Sequence, residues 1–366
     1  LSKYWNKLIN GIEPYVAGEQ PKPGQKVIKL NTNENPYPPS PKVGEALKRF
    51  DLSDLRLYPD TNSTDVIRAA AKFDGVSEEN IFCGNGSDEV LAIAFQTFFE
   101  KKALTGLPVL MPDYSYSFYP VFSEFYDIRR KTIALREDFR LDPDDYIGVP
   151  NCGIVFANPN APTSRAIAVA DCAKIAAANP DSVVIVDEAY VAFEEEYESA
   201  VSLINEYKNV CVIRTLSKAF SLAGIRLGYA VGSAELIEGL KRARDSFNSY
   251  PVDRLAQKVA EAALLDKDYY DETRAKIIAT RKVFAKEIAE LGFTMPPSSA
   301  NFVYAKPPVQ ISAGTLYQNL RNKGILVRYF NKPVLCDYLR ITIGTDEEMA
   351  QLTDAIRQEV LNAENS

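Results

Sequence analysis

From about residue 75 onward, short runs of consecutive apolar residues alternate with stretches whose apolar positions recur every three or four residues. That alternation predicts parallel βαβ units with helices on both faces of a sheet. Strands are expected at 108–112, 153–157, 183–187, 210–215 and 227–231, and helices at 168–178 and 234–245. Between 252 and 291 nearly every residue favours helix, with Ile277, Phe284, Ile288 and Leu291 on one face, so one long connecting helix is expected. Beyond the PPSSANF break at 296–302 the pattern predicts a strand at 301–305, a helix near 313–323, strands at 325–328 and 339–343, and a terminal helix from Asp346. Residues 1–41 are rich in Pro and Asn and predict an extended arm. The expected architecture is α/β: an arm over 1–30 packing on the smaller unit, a large domain with a mostly parallel central sheet over 31–255, and a small α+β domain over 256–366.

Composition narrows the chemistry. At ~150 residues per domain, 366 residues predict two or three domains, and 46% hydrophobic with 25% charged content fits a folded globular chain. There are 0 histidines. Ser-His-Asp and Cys-His catalysis and imidazole metal sites are therefore excluded, which leaves Lys, Tyr, Asp, Glu, Cys or a borrowed cofactor. With 42 basic against 49 acidic residues and no basic tract, nucleic acid is not an expected partner. Five cysteines without a CxxC pair read as reduced thiols, which predicts a cytoplasmic protein. No apolar run reaches signal-peptide or membrane-span length, so no membrane partner is expected. The acidic run EEEYE at 194–198 lacks the spaced pattern of a cation loop and reads as a solvated loop; no metal is expected.

Polar residues then cluster where the apolar runs end. In VIRTLSKAFSLAGIRLGYAVG, 212–232, Thr215, Ser217, Lys218 and Arg226 occupy a polar turn between two apolar strands. Hydroxyls three and one residues before a lysine, with an arginine eight after it, make an anion cradle beside an amine, as a phosphate-bearing carbonyl cofactor requires. SVVIVDEAYVAF, 182–193, places Asp187 and Tyr190 at the C-terminal end of a strand, where open α/β sheets bind ligands. A buried anion there would keep a pyridinium nitrogen protonated, and a phenol would donate to an adjacent ring oxygen. GNGSD at 84–88 reads as strand, tight turn and helix N-terminus, with Gly86, Ser87 and Asp88 either cradling a phosphate or simply turning and capping the chain. Glu89 breaks the GxGxxG fingerprint, which argues against a nicotinamide dehydrogenase. In FANPNAPTSR, 156–165, Pro159 and Pro162 forbid helix and fix the direction of Asn158 and Asn160. Tyr114, after another strand end, either stacks on a flat ring or packs in the core. Arg328 and Arg340, at the edges of apolar strands, suggest a substrate carboxylate or phosphate.

NENPYPPSP, RLYPD, GNGSDE, the NPNAPT loop, VDEAY, TLSKAFSLAGIRLGY and LRITIGT, in this order and spacing, span nearly the whole chain. Together they resemble the fold-type I, pyridoxal phosphate-dependent aminotransferases of class I/II, most closely the branch acting on histidinol phosphate. The resemblance implies pyridoxal 5'-phosphate as a Schiff base on Lys218, which then serves as the base of the proton shift. It implies Asp187 against the pyridinium nitrogen, Tyr190 and Asn160 on the ring's phenolic oxygen, and Tyr114 on the ring face. The phosphate would lie against Gly86, Ser87, Thr215, Ser217 and Arg226, completed by Tyr58 from the partner in a homodimer, with Asp88 also among the cofactor-binding residues. Arg340 matches the arginine that grips a distal anion, and Arg328 and Tyr15 match further phosphate contacts. These imply histidinol phosphate as amino donor and 2-oxoglutarate as the 2-oxo acid acceptor. An aromatic amino acid aminotransferase and a decarboxylase of a phosphorylated amino acid, such as threonine phosphate, are the alternatives. A ligand sensor on the same fold would carry a DNA-binding module, for which no segment is spare. Two departures stand out: Ser164 occupies a position where the family's loop reads PTG, and the histidine that supports the aspartate in some relatives must be replaced by a hydroxyl, amide or water.

Overall fold

The structure is a computed structural model and describes residues 2–16, 18–22, 24–196 and 198–365. In chain order the strands are β1 (Ile28–Lys29), β2 (Ile81–Gly84), β3 (Val109–Pro112), β4 (Arg130–Ile133), β5 (Gly153–Ala157), β6 (Val184–Asp187), β7 (Val210–Thr215), β8 (Gly228–Gly232), β9 (Phe302–Ala305), β10 (Ile325–Leu326), β11 (Arg328–Tyr329) and β12 (Leu339–Thr342). Seven of them form one sheet in the order β2-β8-β7-β6-β5-β3-β4. Side chains alternate across it, so Ile154, Phe156, Val184 and Val186 pack on one face while Val155, Ala157, Ile185 and Ile213 pack on the other. Unbroken apolar runs are what a sheet covered on both faces demands.

β5, β6 and β7 are parallel and in step, with Ala157 opposite Asp187 and Asp187 opposite Ile213. Their C-terminal ends therefore open on one edge, and the 158–165 loop, Asp187 and the 215–218 turn meet there. β8 runs antiparallel to both its neighbours, β2 and β7. It returns the chain from the Lys218 turn past the 84–88 turn.

The smaller unit is the antiparallel sheet β11-β12-β9, backed by helices Ala313–Asn322 and Asp346–Glu364. β1 pairs parallel with β10, Ile28 opposite Ile325. The chain then crosses, through residues 31–35, toward the large sheet.

Several sequence expectations need correction. Residues 252–291 form two helices, Arg254–Leu264 and Lys267–Glu290. The break falls where the Asp266 carboxylate leaves the helical path to accept from the Ser40 hydroxyl and, at 2.6 Å, from the Lys42 ammonium. The segment expected to be an extended arm or loop contains a short helix, Lys7–Gly11, and ends in helix Pro41–Lys48, capped by Ser40 with proline in its first turn. The single strand expected at 325–328 is two strands, which serve different sheets. Helices Thr64–Asp74 and Phe118–Phe125 and strand β4 were not anticipated. β4 carries an exposed edge, so no apolar run announces it. Of the acidic run 194–198, Tyr197 lies outside the described residues, and Glu195 pairs with Lys282 at 2.7 Å. Among the described residues no helix is long and apolar enough to cross a membrane.

Candidate active site

Asp187 ends β6 buried, with both carboxylate oxygens engaged: Oδ2 accepts from the Tyr119 hydroxyl at 2.8 Å and Oδ1 from the Ala189 N–H at 3.2 Å. Burial pushes its carboxyl up to about 6, and those two hydrogen bonds oppose the rise. On the next strand, β7 ends at Thr215 and the turn carries Lys218 inward. Its Nζ donates to the Thr32 carbonyl at 3.1 Å and lies 5.8 Å from the Tyr190 ring centre. Burial, reinforced by the Arg340 guanidinium, lowers the amine to about 8. An amine so lowered is neutral in a useful fraction of molecules near neutral pH, as nucleophilic attack on a carbonyl requires. Tyr190 is buried edge-on against Phe302, and its hydroxyl oxygen accepts from Asn33 Nδ2 at 3.0 Å.

The 84–88 turn forms the second wall. Gly86 caps helix Ser87–Phe98 at φ +85°, a conformation that favours glycine. A Cβ there would stand 2.6 Å from Arg226 Nη2. Arg226 also reaches the Ser217 hydroxyl at 3.4 Å and the Asp88 carboxylate at 3.2 Å, and the other Asp88 oxygen accepts from Tyr116 at 2.7 Å. The Ser217 N–H donates to Thr215 Oγ1 at 3.1 Å. Gly86, Ser87, Asp88, Thr215, Ser217 and Arg226 are thus gathered around one helix N-terminus. Backbone N–H groups, a guanidinium and hydroxyls in one cradle match a phosphate ester.

β11 and β12 set Arg328 directly opposite Arg340. Both guanidiniums lie over the Phe330 ring, at 5.2 and 5.6 Å. Arg340 donates to the Asn31 carbonyl at 3.0 Å, while its buried Nε has no partner. Burial lowers its pKa. Tyr15 stacks on Phe118 at 4.4 Å, and Arg328 donates to the Val16 carbonyl at 3.2 Å, so the arm spans both units beside these arginines.

Three further predicted residues make contacts of their own. Tyr58 is exposed and stacks on Tyr250 at 4.5 Å, on the molecule's outer face. Tyr114 packs beside Phe139, Tyr304 and Leu335. Asn160 Nδ2 donates within its own region to the Tyr114 carbonyl and the Thr163 hydroxyl, both at 2.8 Å, and its Oδ1 accepts from Ser115 at 2.7 Å. A bond from Asn160 to a ring oxygen would require one of these to open. Ser164 adopts φ +63°, the left-handed region in which glycine is unstrained. Its hydroxyl donates to the Thr163 carbonyl at 2.6 Å and its N–H to the Asn160 carbonyl at 2.8 Å.

Sequence reasoning missed Tyr119, which supports Asp187, and the roles of Thr32, Asn33 and Asn35. Asn35 Nδ2 donates to the Lys218 and Ala219 carbonyls at 3.2 and 3.3 Å. The available signal was the Asn-rich NTNEN run, five polar residues directly after the apolar β1 region.

The family described as aminotransferase class I and II matches residues 25–356. The chain belongs to this family. Its relatives include proteins named histidinol-phosphate aminotransferase. One from Clostridium acetobutylicum is 49% identical over 358 residues, covering 98% of this chain and 99% of the relative. One from Acinetobacter baumannii is 48% identical over 362 residues, covering 98% of each. Among solved structures, histidinol-phosphate aminotransferase from Sinorhizobium meliloti in complex with pyridoxal-5'-phosphate superposes with TM-score 0.85 at 25% identity, over 99% of both chains. L-threonine-O-3-phosphate decarboxylase from Porphyromonas gingivalis shares the fold, with TM-score 0.75 at 19% identity over 91% of this chain and 99% of that one. The fold-type I expectation and the assignment as a pyridoxal phosphate-dependent aminotransferase therefore hold. The decarboxylase likeness shows that fold alone does not choose the reaction within it.

Proposed function

We propose that this aminotransferase transfers the amino group of histidinol phosphate to 2-oxoglutarate, giving imidazole acetol phosphate and glutamate, and works in the cytoplasm as a homodimer. The observation that carries the reading is the meeting of Lys218, Asp187 and the arginine-edged cradle at one sheet edge. When bound, pyridoxal phosphate supplies an electron sink that stabilises carbanion character at the donor carbon. Lys218 would hold its aldehyde and, once displaced, take and return the proton at that carbon. Asp187 would face the ring nitrogen, whose positive charge offsets the cost of burying the carboxylate. Gly86, Ser87, Thr215, Ser217 and Arg226 would hold the phosphate.

Substrate choice rests on Arg328 and Arg340. Two guanidiniums in register, over one aromatic ring and beside Tyr15, suit a doubly charged phosphate ester better than a single carboxylate. The names of relatives at 48–49% identity support the same substrate.

The test begins with the visible spectrum of the cofactor-loaded protein. Wild type is expected to show a band that borohydride bleaches, and Lys218→Ala to lack it. A donor panel with 2-oxoglutarate should then form glutamate fastest from histidinol phosphate. Faster glutamate formation from aromatic amino acids, or carbon dioxide release without glutamate, would replace this substrate assignment.

A further inference from the structure

Asn33 is buried at the junction of the two units, with φ +55°, a left-handed conformation that asparagine tolerates. Its backbone N–H donates to Thr342 Oγ1 at 3.0 Å, and its backbone carbonyl accepts from Asn301 Nδ2 at 3.0 Å. The Thr342 hydroxyl in turn donates to Asn33 Oδ1 at 3.1 Å. Nδ2 then faces the Tyr190 oxygen at 3.0 Å.

This arrangement fixes the direction of every proton in it. Thr342 Oγ1 already receives the Asn33 N–H, so its own hydrogen goes to Asn33 Oδ1. In the flipped amide, Thr342 would face two donors and its hydrogen would have no acceptor. Nδ2 therefore points at Tyr190, and an amide nitrogen cannot accept. The phenol must receive a hydrogen bond from Asn33 and direct its own proton elsewhere. Asn160, the other residue expected at the ring oxygen, has its donors engaged in its loop. The phenol proton is thus the donor that remains.

We propose that Asn33 is a positioning residue that turns the Tyr190 hydroxyl proton toward the cofactor's ring oxygen, with Thr342 locking the amide in the orientation that does so. The proposal rests on the cofactor reading above. Thr342 lies two residues after Arg340 on β12, so both side chains share a strand face. The strand that carries the substrate arginine therefore also sets the polarity of the hydrogen bond at the ring.

A donor at the ring oxygen draws charge from it and loosens its hold on the proton of the lysine nitrogen. Weakening that donor should raise the pH midpoint at which the visible band of the loaded enzyme changes. Asn33→Gly, which keeps the backbone angle available, is expected to raise the midpoint by about half to one pH unit. Asn33→Asp, whose carboxylate would capture the phenol proton, is expected to raise it at least as far. In both, kcat should fall about tenfold while KM stays within about threefold. Thr342→Val, close in shape, should move the midpoint the same way if the Asn33 variants do not fold. In a Tyr190→Phe background, Asn33→Gly should produce no further shift. A midpoint within about 0.2 unit of wild type in folded Asn33 variants would overturn the proposal, as would a full shift persisting without the Tyr190 hydroxyl. Absence of the band from wild-type protein would overturn the cofactor reading itself, so the two failures are distinct.

Discussion

Asp187 is held in a buried position that disfavours its charge, and Tyr119 only partly relieves this. In the cofactor-free protein its carboxyl titrates near 6. Between the ordinary carboxyl value and 6, the folded chain keeps a proton that the unfolded chain has released, so stability falls as pH rises through that window. At about 1.4 kcal/mol per pH unit, the full loss is on the order of 3 kcal/mol. Asp187→Asn removes the titration and keeps the shape. Urea unfolding of the cofactor-free variant at pH 8 should therefore show a gain of about 2–3 kcal/mol over wild type, and little gain near pH 4. Equal gains at both pH values would mean the carboxylate is not the source of the cost. Lys218 and Asp187 were legible in the sequence because an apolar run stops abruptly at each, and polar residues at a strand end are conspicuous. Tyr119 and Asn33 were not: they act on partners 68 and 157 residues away, and only the folded sheet shows that they reach them.

At the level of elements, the direction of β8 matters most to the site. Its apolar run was recognisable, but such a run does not reveal strand direction, and the expectation of parallel units missed the one reversal in the large sheet. The reversal puts Gly228 opposite both Gly84 and Thr215 and presses it against the phosphate turn. A Cβ on Gly228 would lie 2.4 Å from the Ser87 nitrogen and 2.7 Å from the Gly86 carbonyl carbon, both backbone atoms with little room to yield. Gly228→Ala should therefore displace the turn and with it the N–H groups of the cradle. Cofactor affinity is expected to fall at least about tenfold, with about 2 kcal/mol of stability lost to overpacking. Absorbance titration with pyridoxal phosphate and urea melts measure the two effects. Undiminished affinity in the variant would remove the turn from the cofactor site. The helix break at Asp266 was hidden for a related reason. Helix propensity runs through 252–291, and only the Ser40 cap and Lys42 on a distant helix explain why that aspartate leaves the helical path.

The whole molecule presents an apolar surface that a monomer does not need. Leu52, Leu55, Leu57, Tyr58, Phe247 and Tyr250 are all exposed, and the Tyr58–Tyr250 stack and a bond from Thr61 to the Ser249 carbonyl join the two segments that carry them. Arg254 fixes the Leu57 and Tyr58 carbonyls at 3.1 and 2.7 Å, so the patch has a defined shape. Apolar surface of this kind is what the proposed homodimer would cover. A two-fold dimer through it would deliver two copies of Tyr58, each outside its own chain's site and available to the other's cradle. That arrangement predicts complementation. Lys218→Ala and Tyr58→Phe chains are each defective alone. When they are unfolded and refolded together in equal amounts, half the dimers should be mixed, and each mixed dimer contains one site with both residues intact. Activity should therefore recover to about one quarter of wild type. Leu55→Asp, introduced into both chains, should abolish the recovery and halve the particle mass by light scattering. If Tyr58 served its own chain, the mixed dimer would hold no intact site and activity would stay at the average of the two parents.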